Sequence, residues 1–273
     1  MNISILGCGW LGFPLAQRLL SLGYSIKGST TTQGKVGLLK QNGIESFLIK
    51  LPESMDNQDT DPFWNTDTLF LNIPPGIKKK NSGLSDYTNL IQSINDKAQA
   101  KDISWIIFAS STSVYGEFGG VTKEEDASLD AALNPSGEAL LKSEKIVRKS
   151  GADYTILRLG GLYGYGRHPI QYLSGKKKLD GANKPVNLIH QTDCINIITE
   201  IILQKKRNEI YNLVSDGHPP RKAFYESAAD HFNLPKPTFM KDSDSDYKIV
   251  SNKKMKEDLL YSFSYPNPMD HTP

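Results

Sequence analysis

Short apolar segments alternate with longer amphipathic segments along most of this chain. The apolar segments are rich in Val, Ile, Leu and Phe, and several of them are continuous rather than alternating. Continuous apolar runs are typical of strands that are buried on both faces of a parallel sheet. We therefore predict strands at Ile3–Leu6, Ser25–Gly28, Ser46–Ile49, Thr68–Ile73, Trp105–Ala109, Tyr154–Leu159, Val186–Ile189 and Ile210–Val214.

The amphipathic segments carry apolar residues at the spacing of one helix face. They predict helices at about Gly12–Leu22, Lys35–Gln41, Ser85–Ala100, Gly137–Lys149, Asp193–Leu203 and Lys222–Phe232. Strands that alternate with helices in this way indicate an α/β fold, with a doubly wound, mostly parallel sheet of the Rossmann type.

The alternation weakens after about Gly164, where proline and glycine punctuate the chain. We expect residues 1–164 to form a dinucleotide-binding Rossmann domain and residues 165–273 to form a small C-terminal substrate lobe. Within that lobe, residues 186–205 are predicted to return to the Rossmann sheet. The last segment, 261–273, has little periodicity and is expected to be a loosely packed tail.

Composition narrows the functional classes. The net charge of +2 is too small to indicate a nucleic-acid partner. Cys8 and Cys194 are too few for a disulfide framework and predict reduced thiols. The amino terminus lacks the basic segment of a signal peptide, and no apolar stretch approaches the ~20 residues of a membrane span, so we expect a cytoplasmic protein with no membrane partner. The lysine runs at 78–80 and 176–178 are interpreted as solvated loops, with steering of a phosphorylated ligand as the alternative.

A glycine-rich loop follows the first predicted strand and opens the first helix. It contains Gly7, Gly9 and Gly12 in the GxGxxG spacing, with Trp10 and Leu11 between the last two. In this context Gly7 permits the tight turn, Gly9 lets a pyrophosphate approach the backbone, and Gly12 lets the helix pack on the strand. The helix N–H groups and the positive end of its dipole would face the phosphates. We therefore predict a bound dinucleotide; a tight turn without a ligand is the alternative.

The residues after the second strand bear on which dinucleotide binds, because NAD enzymes usually carry Asp or Glu there to hold the ribose 2′-hydroxyl. This chain has Ser29, Thr30 and Thr31 instead, with Lys35 nearby. Hydroxyls, amides and a lysine can accept the 2′-phosphate that a carboxylate would repel. We therefore expect NADP. The alternative is NAD, with a turn that does not distinguish the two cofactors by the 2′-phosphate. Further contacts with the cofactor are predicted at Ile73, Pro74, Ala109, Ser110, Gly161 and Leu162.

The most specific string in the chain is the segment 111–116, in which Ser111 follows a buried strand and a Val-Tyr-Gly turn ends the string. Further strings follow in order at 157–167, 187–193 and 209–214. Together with the glycine loop, they resemble the extended short-chain dehydrogenase/reductase superfamily, the sugar-nucleotide epimerases and dehydratases, over most of the chain. The resemblance implies that Ser111 contacts the reacting hydroxyl or carbonyl and polarises it during hydride transfer.

The chain departs from that family at the catalytic base, which the family supplies as a tyrosine followed four residues later by a lysine. The lysine favours the phenolate and makes it a usable base. When Glu144 is aligned with the family's glutamate, Ser136 takes the place of the tyrosine and Leu140 that of the lysine. Lys142 lies about half a helical turn away from the lysine position. The glycine loop is also shorter by one residue, so the resemblance is to an atypical bacterial subgroup of uncharacterised epimerase/dehydratase-like proteins.

Three other residues each have two interpretations. Tyr115 is a candidate substitute acid, or its ring packs in the turn. Arg167 is a candidate ligand for a substrate diphosphate, or it forms a surface ion pair. Asp193 is interpreted as a helix cap in preference to a catalytic residue. The five histidines show no metal-ligand spacing, so no metal is expected.

These features predict an NAD(P)-dependent oxidoreductase or epimerase-like protein. It would act by hydride transfer on a phosphorylated or nucleotide-linked small molecule. The retained Ser111 and the substrate lobe favour an enzyme. The missing tyrosine and lysine favour the alternative, a cofactor-binding redox sensor or scaffold without turnover. Helices beside such sheets often pair, so a homodimer is one expectation.

Overall fold

Strands and helices follow the predicted alternation in the computed structural model, which describes residues 1–75, 84–240 and 246–270. The described strands are β1 (Asn2–Leu6), β2 (Ser25–Thr30), β3 (Glu45–Leu48), β4 (Thr68–Leu71), β5 (Trp105–Ser111), β6 (Val121–Thr122), β7 (Asp153–Leu159), β8 (Gly161–Tyr163), β9 (Leu188–His190), β10 (Glu209–Leu213) and β11 (Ile249–Val250). The described helices are α1 (Gly12–Ser21), α2 (Gln33–Gln41), α3 (Asp61–Trp64), α4 (Leu84–Ala100), α5 (Pro135–Arg148), α6 (Ile170–Leu173), α7 (Gln191–Leu203), α8 (Arg221–His231) and α9 (Lys253–Leu259).

Seven of these strands form one sheet, in the order β10-β7-β5-β4-β1-β2-β3. Neighbouring strands are parallel, with Ile3 of β1 opposite Ile26 on one side and opposite Thr68 on the other. The chain therefore adds β2 and β3 on one side of β1 and then crosses to build the other side. The winding reverses between β1 and β4, which is where open α/β sheets bind their ligands. The predicted doubly wound Rossmann sheet is confirmed.

Successive side chains of β5 point to opposite faces of the sheet, and both faces are covered by helices. Trp105 and Ile107 pack on one face with apolar residues of α1 and α7, whereas Ile106 and Phe108 pack on the other with residues of α4 and α5. Successive side chains of a strand point to opposite faces, so one continuous apolar run contributes to two cores. Burial of each such apolar side chain is worth about 1.5–3 kcal/mol. The two cores hold the helices against the sheet and leave its carboxyl edge to the loops.

One predicted strand joins a different sheet. The apolar run at 186–189 forms β9 (Leu188–His190), which pairs with β8 and not with the main sheet. The chain leaves the main sheet after β7, because the Gly161 N–H donates to the Asn187 carbonyl (2.8 Å) and starts the small sheet. The C-terminal strand that joins the main sheet is β10, beside β7. Of the segment 186–205, only the helix α7 returns to the Rossmann layers, where it packs against α1.

The expectation of a loosely packed tail at 261–273 is wrong as far as Tyr265. The buried carboxylate of Asp193 accepts hydrogen bonds from the Tyr261 hydroxyl (2.7 Å) and from the N–H groups of Ser264 (2.8 Å) and Tyr265 (2.9 Å). A buried carboxylate needs such donors to offset the loss of water. Asp193 therefore fastens the C-terminal segment to α7. Periodicity could not reveal this contact, because the segment is neither helix nor strand.

Three observations concern the surface. Within residues 1–75, 84–240 and 246–270, no helix is long and apolar enough to cross a bilayer. The lysine run at 176–178 is exposed. The lysine run at 78–80 lies outside the described residues.

Candidate functional site

The carboxyl edge of the main sheet collects most of the residues predicted to bind the cofactor. The glycine loop follows β1, Thr30 ends β2, Asn72 follows β4 and Ser111 ends β5. Because these strands are parallel, all four points lie along one edge. Two surface depressions of about 440 and 380 Å³ lie at the opposite edge, near Ser25 and Asp153, the first residues of β2 and β7. The predicted site is thus at the edge where open α/β sheets bind ligands.

Gly7 and Gly12 are required by packing within the glycine loop. A Cβ on Gly7 would lie 2.3 Å from the Asn72 carbonyl oxygen, and a Cβ on Gly12 would lie 2.3 Å from the Gly7 carbonyl oxygen. Gly7 also has φ near +105°, which favours glycine. Its N–H donates to the Ser29 hydroxyl (2.9 Å), and its carbonyl accepts from the Asn72 side chain (3.0 Å). These contacts fix the path of the loop between β1 and α1.

Gly9 differs from the other two glycines. A Cβ there would meet no protein atom within 4 Å, so packing does not require glycine at this position. Gly9 is exposed and lies just before α1, whose N-cap residue Leu11 gives the helix no side-chain hydrogen bond. An anion at this point would meet the first N–H groups of the helix and the positive end of its dipole. The residues present therefore fit the pyrophosphate of a dinucleotide.

The three hydroxyl residues at the end of β2 are used differently. Ser29 is buried, and its hydroxyl accepts the N–H of Gly7, so Ser29 supports the loop from inside. Thr30 is also buried, and its hydroxyl accepts the N–H of Thr32 (3.2 Å). Thr31 is exposed, as is Lys35 in the first turn of α2. A group at the 2′ position of the ribose would therefore meet Thr31 and Lys35 before Ser29.

The other predicted cofactor contacts differ in exposure. Ser110 is buried, Ile73, Ala109 and Leu162 are half-buried, and Pro74 and Gly161 are exposed. The Ser110 hydroxyl donates to the Glu144 carboxylate (2.6 Å), so Ser110 braces the site and does not line it. The Ile73 carbonyl accepts from the Tyr87 hydroxyl (2.9 Å), which holds the loop after β4.

Trp10 connects the glycine loop to the turn at 164–167. Its indole N–H donates to the Tyr165 carbonyl (2.9 Å), and its own carbonyl accepts from the Gln191 amide (2.6 Å). The guanidinium carbon of Arg167 lies 5.2 Å from the centre of the Trp10 ring, within cation–π distance. Arg167 therefore stands beside the glycine loop.

Ser111 is half-buried at the carboxyl end of β5. Its hydroxyl oxygen accepts the N–H of Ser113 (3.1 Å) and so caps the 3₁₀ turn Thr112–Val114. A serine hydroxyl that accepts one hydrogen bond still has its own hydrogen to donate. The turn thus orients Ser111 and leaves its hydrogen available for a substrate oxygen.

A buried ion pair lies behind the serine turn. Arg158 of β7 binds both carboxylate oxygens of Glu144 on α5, at 3.1 and 2.7 Å. Both side chains are at most 3% exposed, and a buried pair is tolerated only when its other donors and acceptors are also satisfied. Here Ser110 donates to Glu144, and Arg158 donates to the Glu124 carbonyl (2.7 Å). Burial opposes the charge of Arg158, but the hydrogen bonds and the charge of Glu144 raise its pKa above the ordinary arginine value.

Tyr115 completes this network. Its hydroxyl donates to the Asn212 side chain (2.6 Å) and accepts from Arg158 (2.8 Å), and its ring is fully buried. Burial raises the pKa of Tyr115 above the ordinary tyrosine value, despite the opposing effect of Arg158. The phenol has both partners inside the protein and holds its proton firmly. This placement favours the packing interpretation over the substitute acid.

The start of α5 carries no tyrosine–lysine pair, although the family that the sequence resembles has its catalytic pair there. Ser136 is half-buried, Leu140 is buried in the apolar core, and the exposed Lys142 binds Glu138 on its own helix. The helix also approaches the serine turn closely, since a Cβ on Gly137 would lie within 2.0 Å of the Ser113 carbonyl oxygen. A backbone contact thus joins α5 to the turn.

Lys248 has no counterpart among the predicted site residues. It lies just before β11, and its buried ammonium donates to the carbonyls of Thr112 (2.9 Å) and Tyr115 (2.8 Å), at the two ends of the turn after Ser111. Burial lowers its pKa to about 8. The sequence offered one signal for this role, a lysine among the apolar and aromatic residues of the segment 247–250. A lysine at the solvated edge of a strand would give the same pattern.

His190, Cys8 and Cys194 are buried within the fold. His190 is the N-cap of α7 and accepts the N–H of Thr192 (3.2 Å), so the capping role expected of Asp193 belongs to His190. Burial lowers the pKa of His190. Cys8 and Cys194 are buried free thiols, and burial raises the pKa of Cys8 to about 12. In the part of the chain that the structure describes, no group of three His, Cys, Asp or Glu side chains could hold a metal ion.

Comparison with known proteins identifies the relatives of this chain. A family model described as NAD(P)H-binding matches residues 9–189. Protein YeeZ of Escherichia coli strain K12 is 36% identical over 275 residues, which cover 98% of this chain and 97% of that protein.

Solved structures share the fold at low identity. A functionally unknown conserved protein from Silicibacter pomeroyi has a TM-score of 0.76 at 20% identity, over 99% of this chain and 96% of that one. A UDP-glucuronic acid 4-epimerase from Bacillus cereus in complex with NAD has a TM-score of 0.80 at 19% identity, over 99% and 96%. A UDP-glucose 4-epimerase from Thermotoga maritima has a TM-score of 0.78 at 18% identity, over 100% and 97%.

Proposed function

This chain belongs to the NAD(P)H-binding family, and on that basis we propose that it is an NAD(P)-dependent oxidoreductase or epimerase-like enzyme. Its substrate is a phosphorylated or nucleotide-linked small molecule, of which a sugar nucleotide is the first candidate. One observation carries the proposal: the open position at Gly9 and the hydroxyl of Ser111 lie on one edge of the same sheet. Nucleotide-sugar epimerases among the structures of the same fold motivate the choice of substrate class.

The residues have separate tasks in this proposal. Gly9 and the first turn of α1 hold the pyrophosphate, and Thr31 and Lys35 receive the adenosine ribose. When bound, the nicotinamide cofactor accepts or supplies the hydride. Ser111 donates its hydrogen to the substrate oxygen and orients the carbon that exchanges the hydride. The protonated ammonium of Lys248 fixes the turn that carries Ser111.

We propose NADP as the preferred cofactor. The end of β2 carries no carboxylate to repel a 2′-phosphate, and the exposed Thr31 and Lys35 can accept one. Parallel titrations with NADPH and NADH, followed by calorimetry, test this choice. Tighter binding of NADPH supports it, and tighter binding of NADH overturns it. Replacing Lys35 with Met should weaken NADPH alone.

Turnover is tested with NADP or NADPH and a panel of sugar nucleotides, by following absorbance at the nicotinamide band. The Ser111→Ala variant should lose on the order of 100-fold in rate, as removal of an oriented catalytic donor typically does. Ser113→Ala is the matched control, because this serine lies in the same turn and contributes its backbone N–H to Ser111. Equal rates for wild type and Ser111→Ala would contradict the role of Ser111.

A second candidate function is a cofactor-binding sensor or scaffold without turnover. The observation that favours it is the place of the family's catalytic pair, which holds Ser136 and the buried Leu140. Tight binding of the dinucleotide, with no change in absorbance across a broad panel of substrates, would support this function and count against the enzyme.

A further inference from the structure

Arg167 lies beside the glycine loop, and its surroundings suggest a ligand other than the substrate. Its guanidinium lies over the Trp10 ring at 5.2 Å. Trp10 follows Gly9 directly, so the ring on which the guanidinium stacks belongs to the loop that leaves open space at Gly9.

The turn that carries Arg167 is fixed in place. Gly164 and Arg167 exchange backbone hydrogen bonds of 2.9 and 2.8 Å, and the Tyr165 carbonyl between them accepts the Trp10 indole N–H. Gly164 has φ near +133°, and a Cβ there would lie 2.9 Å from the His190 ring. The backbone that carries Arg167 is therefore fixed beside the glycine loop, which lowers the entropy cost of binding a ligand.

The charge of Arg167 has no acidic partner among the described residues. Arg158 is bound to Glu144 and Arg207 to Asp153, whereas Arg167 is exposed and forms no ion pair with any described residue. The glycine loop, residues 7–12, contains no charged side chain of its own. Helix N–H groups alone would have to balance the negative charge of a pyrophosphate. A guanidinium can bind two phosphate oxygens at once.

We propose that Arg167 binds the pyrophosphate of the dinucleotide from the C-terminal side of the site, with its guanidinium supported by the Trp10 ring. Arg167 thereby belongs to the cofactor site and is not a ligand of the substrate. The inference rests on the proposed function, because it requires that a dinucleotide binds at Gly9.

The test compares variants by calorimetric titration with NADH and NADPH. Arg167→Met should weaken both dinucleotides by a similar factor of about tenfold or more, the effect expected from losing a charge-assisted contact. The affinities for NADH and NADPH should fall together, because both molecules contain the pyrophosphate. Lys35→Met should weaken NADPH only. Arg18→Met is the charge-matched control, since this exposed arginine lies at the far end of α1, and it should change neither affinity.

Smaller probes separate the pyrophosphate from the rest of the molecule. ADP-ribose contains the pyrophosphate and AMP does not, so Arg167→Met should weaken ADP-ribose and leave AMP unchanged. Arg167→Lys keeps the charge and loses the planar fork, so its affinity for ADP-ribose should lie between those of wild type and Arg167→Met. Unchanged thermal unfolding of the variants confirms that binding alone is altered.

Three results would overturn the inference. Unchanged affinity of Arg167→Met for NADH, NADPH and ADP-ribose means that the arginine only stacks on Trp10. Unchanged dinucleotide affinity with weakened UDP binding makes Arg167 a substrate ligand. If the wild-type protein binds neither dinucleotide, the proposed function is wrong, and the inference about Arg167 is wrong for the same reason.

Discussion

The glycine loop and the serine turn lie at the same edge of the sheet, but their polar groups are used in opposite ways. At the glycine loop, the position beside Gly9 is open, and Leu11 leaves the first turn of α1 without a side-chain cap. Behind the serine turn, Glu144 and Arg158 satisfy each other within the protein. The first N–H groups of α1 are therefore available to a ligand, whereas the donors of the buried network bind groups within the protein.

This difference separates the part of the edge that is open to a cofactor from the part that is closed by internal contacts. Behind the serine turn lie a buried ion pair and a buried phenol, and the nearby position 140 holds an apolar leucine. Such a network stabilises the position of a turn and does not itself transfer protons. In the proposed enzyme, chemistry therefore falls to Ser111 at the rim of the network, next to the turn that Lys248 holds.

The largest expected effect comes from breaking the network. Glu144→Leu should lower the free energy of unfolding by about 3–5 kcal/mol, because it leaves the Arg158 charge buried without its carboxylate. The double variant Glu144→Leu/Arg158→Met should lose less than the single one, since both charges leave together. Chemical denaturation measures both.

The surface pair Lys142–Glu138 is the matched control for this experiment. Its glutamate lies on the same helix as Glu144 and also binds a cation, but the pair is about half exposed, so Glu138→Gln should change stability by about 0.5 kcal/mol or less. An equal effect of Glu144→Leu and Glu138→Gln would show that the network is not a structural element.

Substitution of the loop glycines should separate binding from folding. Gly9→Val should abolish measurable cofactor binding, or weaken it by at least about tenfold, and leave the melting temperature nearly unchanged, because its side chain enters space where the ligand lies. Gly12→Val should destabilise the fold itself, since its Cβ would collide with the Gly7 carbonyl. Gly37→Val, at a helix glycine that also has no neighbour within 4 Å, should not change the affinity. Unchanged dinucleotide affinity in Gly9→Val would defeat the assignment of the loop.

Removal of the Tyr115 hydroxyl tests whether this residue is structural. Tyr115→Phe should cost about 1–2 kcal/mol of stability, because it strands the buried Asn212 oxygen. It should leave cofactor affinity and any turnover rate within twofold of wild type, after correction for the folded fraction. A large loss of rate with unchanged stability would restore Tyr115 as the acid.

Lys248 should leave a signature of a different kind, in the pH dependence of stability. Its pKa is about 8 in the folded protein against 10.5 for the ordinary side chain, so the unfolded chain binds more protons between these values. The free energy of unfolding should therefore rise with pH from about 8 to 10.5, by at most about 1.4 kcal/mol per pH unit. Lys248→Met should remove this slope, whereas replacement of the exposed Lys40 should not. A slope that survives in Lys248→Met belongs to other groups.

The sheet was predictable because its signal is local. The central strands β4 and β5 are short and mostly apolar runs, and the glycine spacing after β1 marks the loop without any knowledge of distant contacts. The strand at 186–189 was assigned to the wrong sheet, because an apolar run does not reveal which strand it pairs with. The Gly161–Asn187 contact that decides it lies between distant parts of the chain.

The polar contacts of the site were less predictable for the same reason. Ser29 looks like a ligand for the ribose in sequence, but its hydroxyl binds the N–H of Gly7, 22 residues away. Asp193 looks like a cap for its own helix, and instead it binds a segment that starts at Tyr261, 68 residues later. Lys248 reaches the turn after Ser111 from the far end of the chain. Pairings of this range leave no periodicity in the sequence.

The most direct test of the account is a crystal structure of the protein with bound NADPH. Electron density for the pyrophosphate is expected beside Gly9 and the first turn of α1, and density for the nicotinamide on the Ser111 side of the edge. The Glu144–Arg158 pair should be unchanged. Density for the dinucleotide at another edge of the sheet, or a complex in which the Glu144–Arg158 pair opens to bind it, would contradict the division between the binding loop and the structural network.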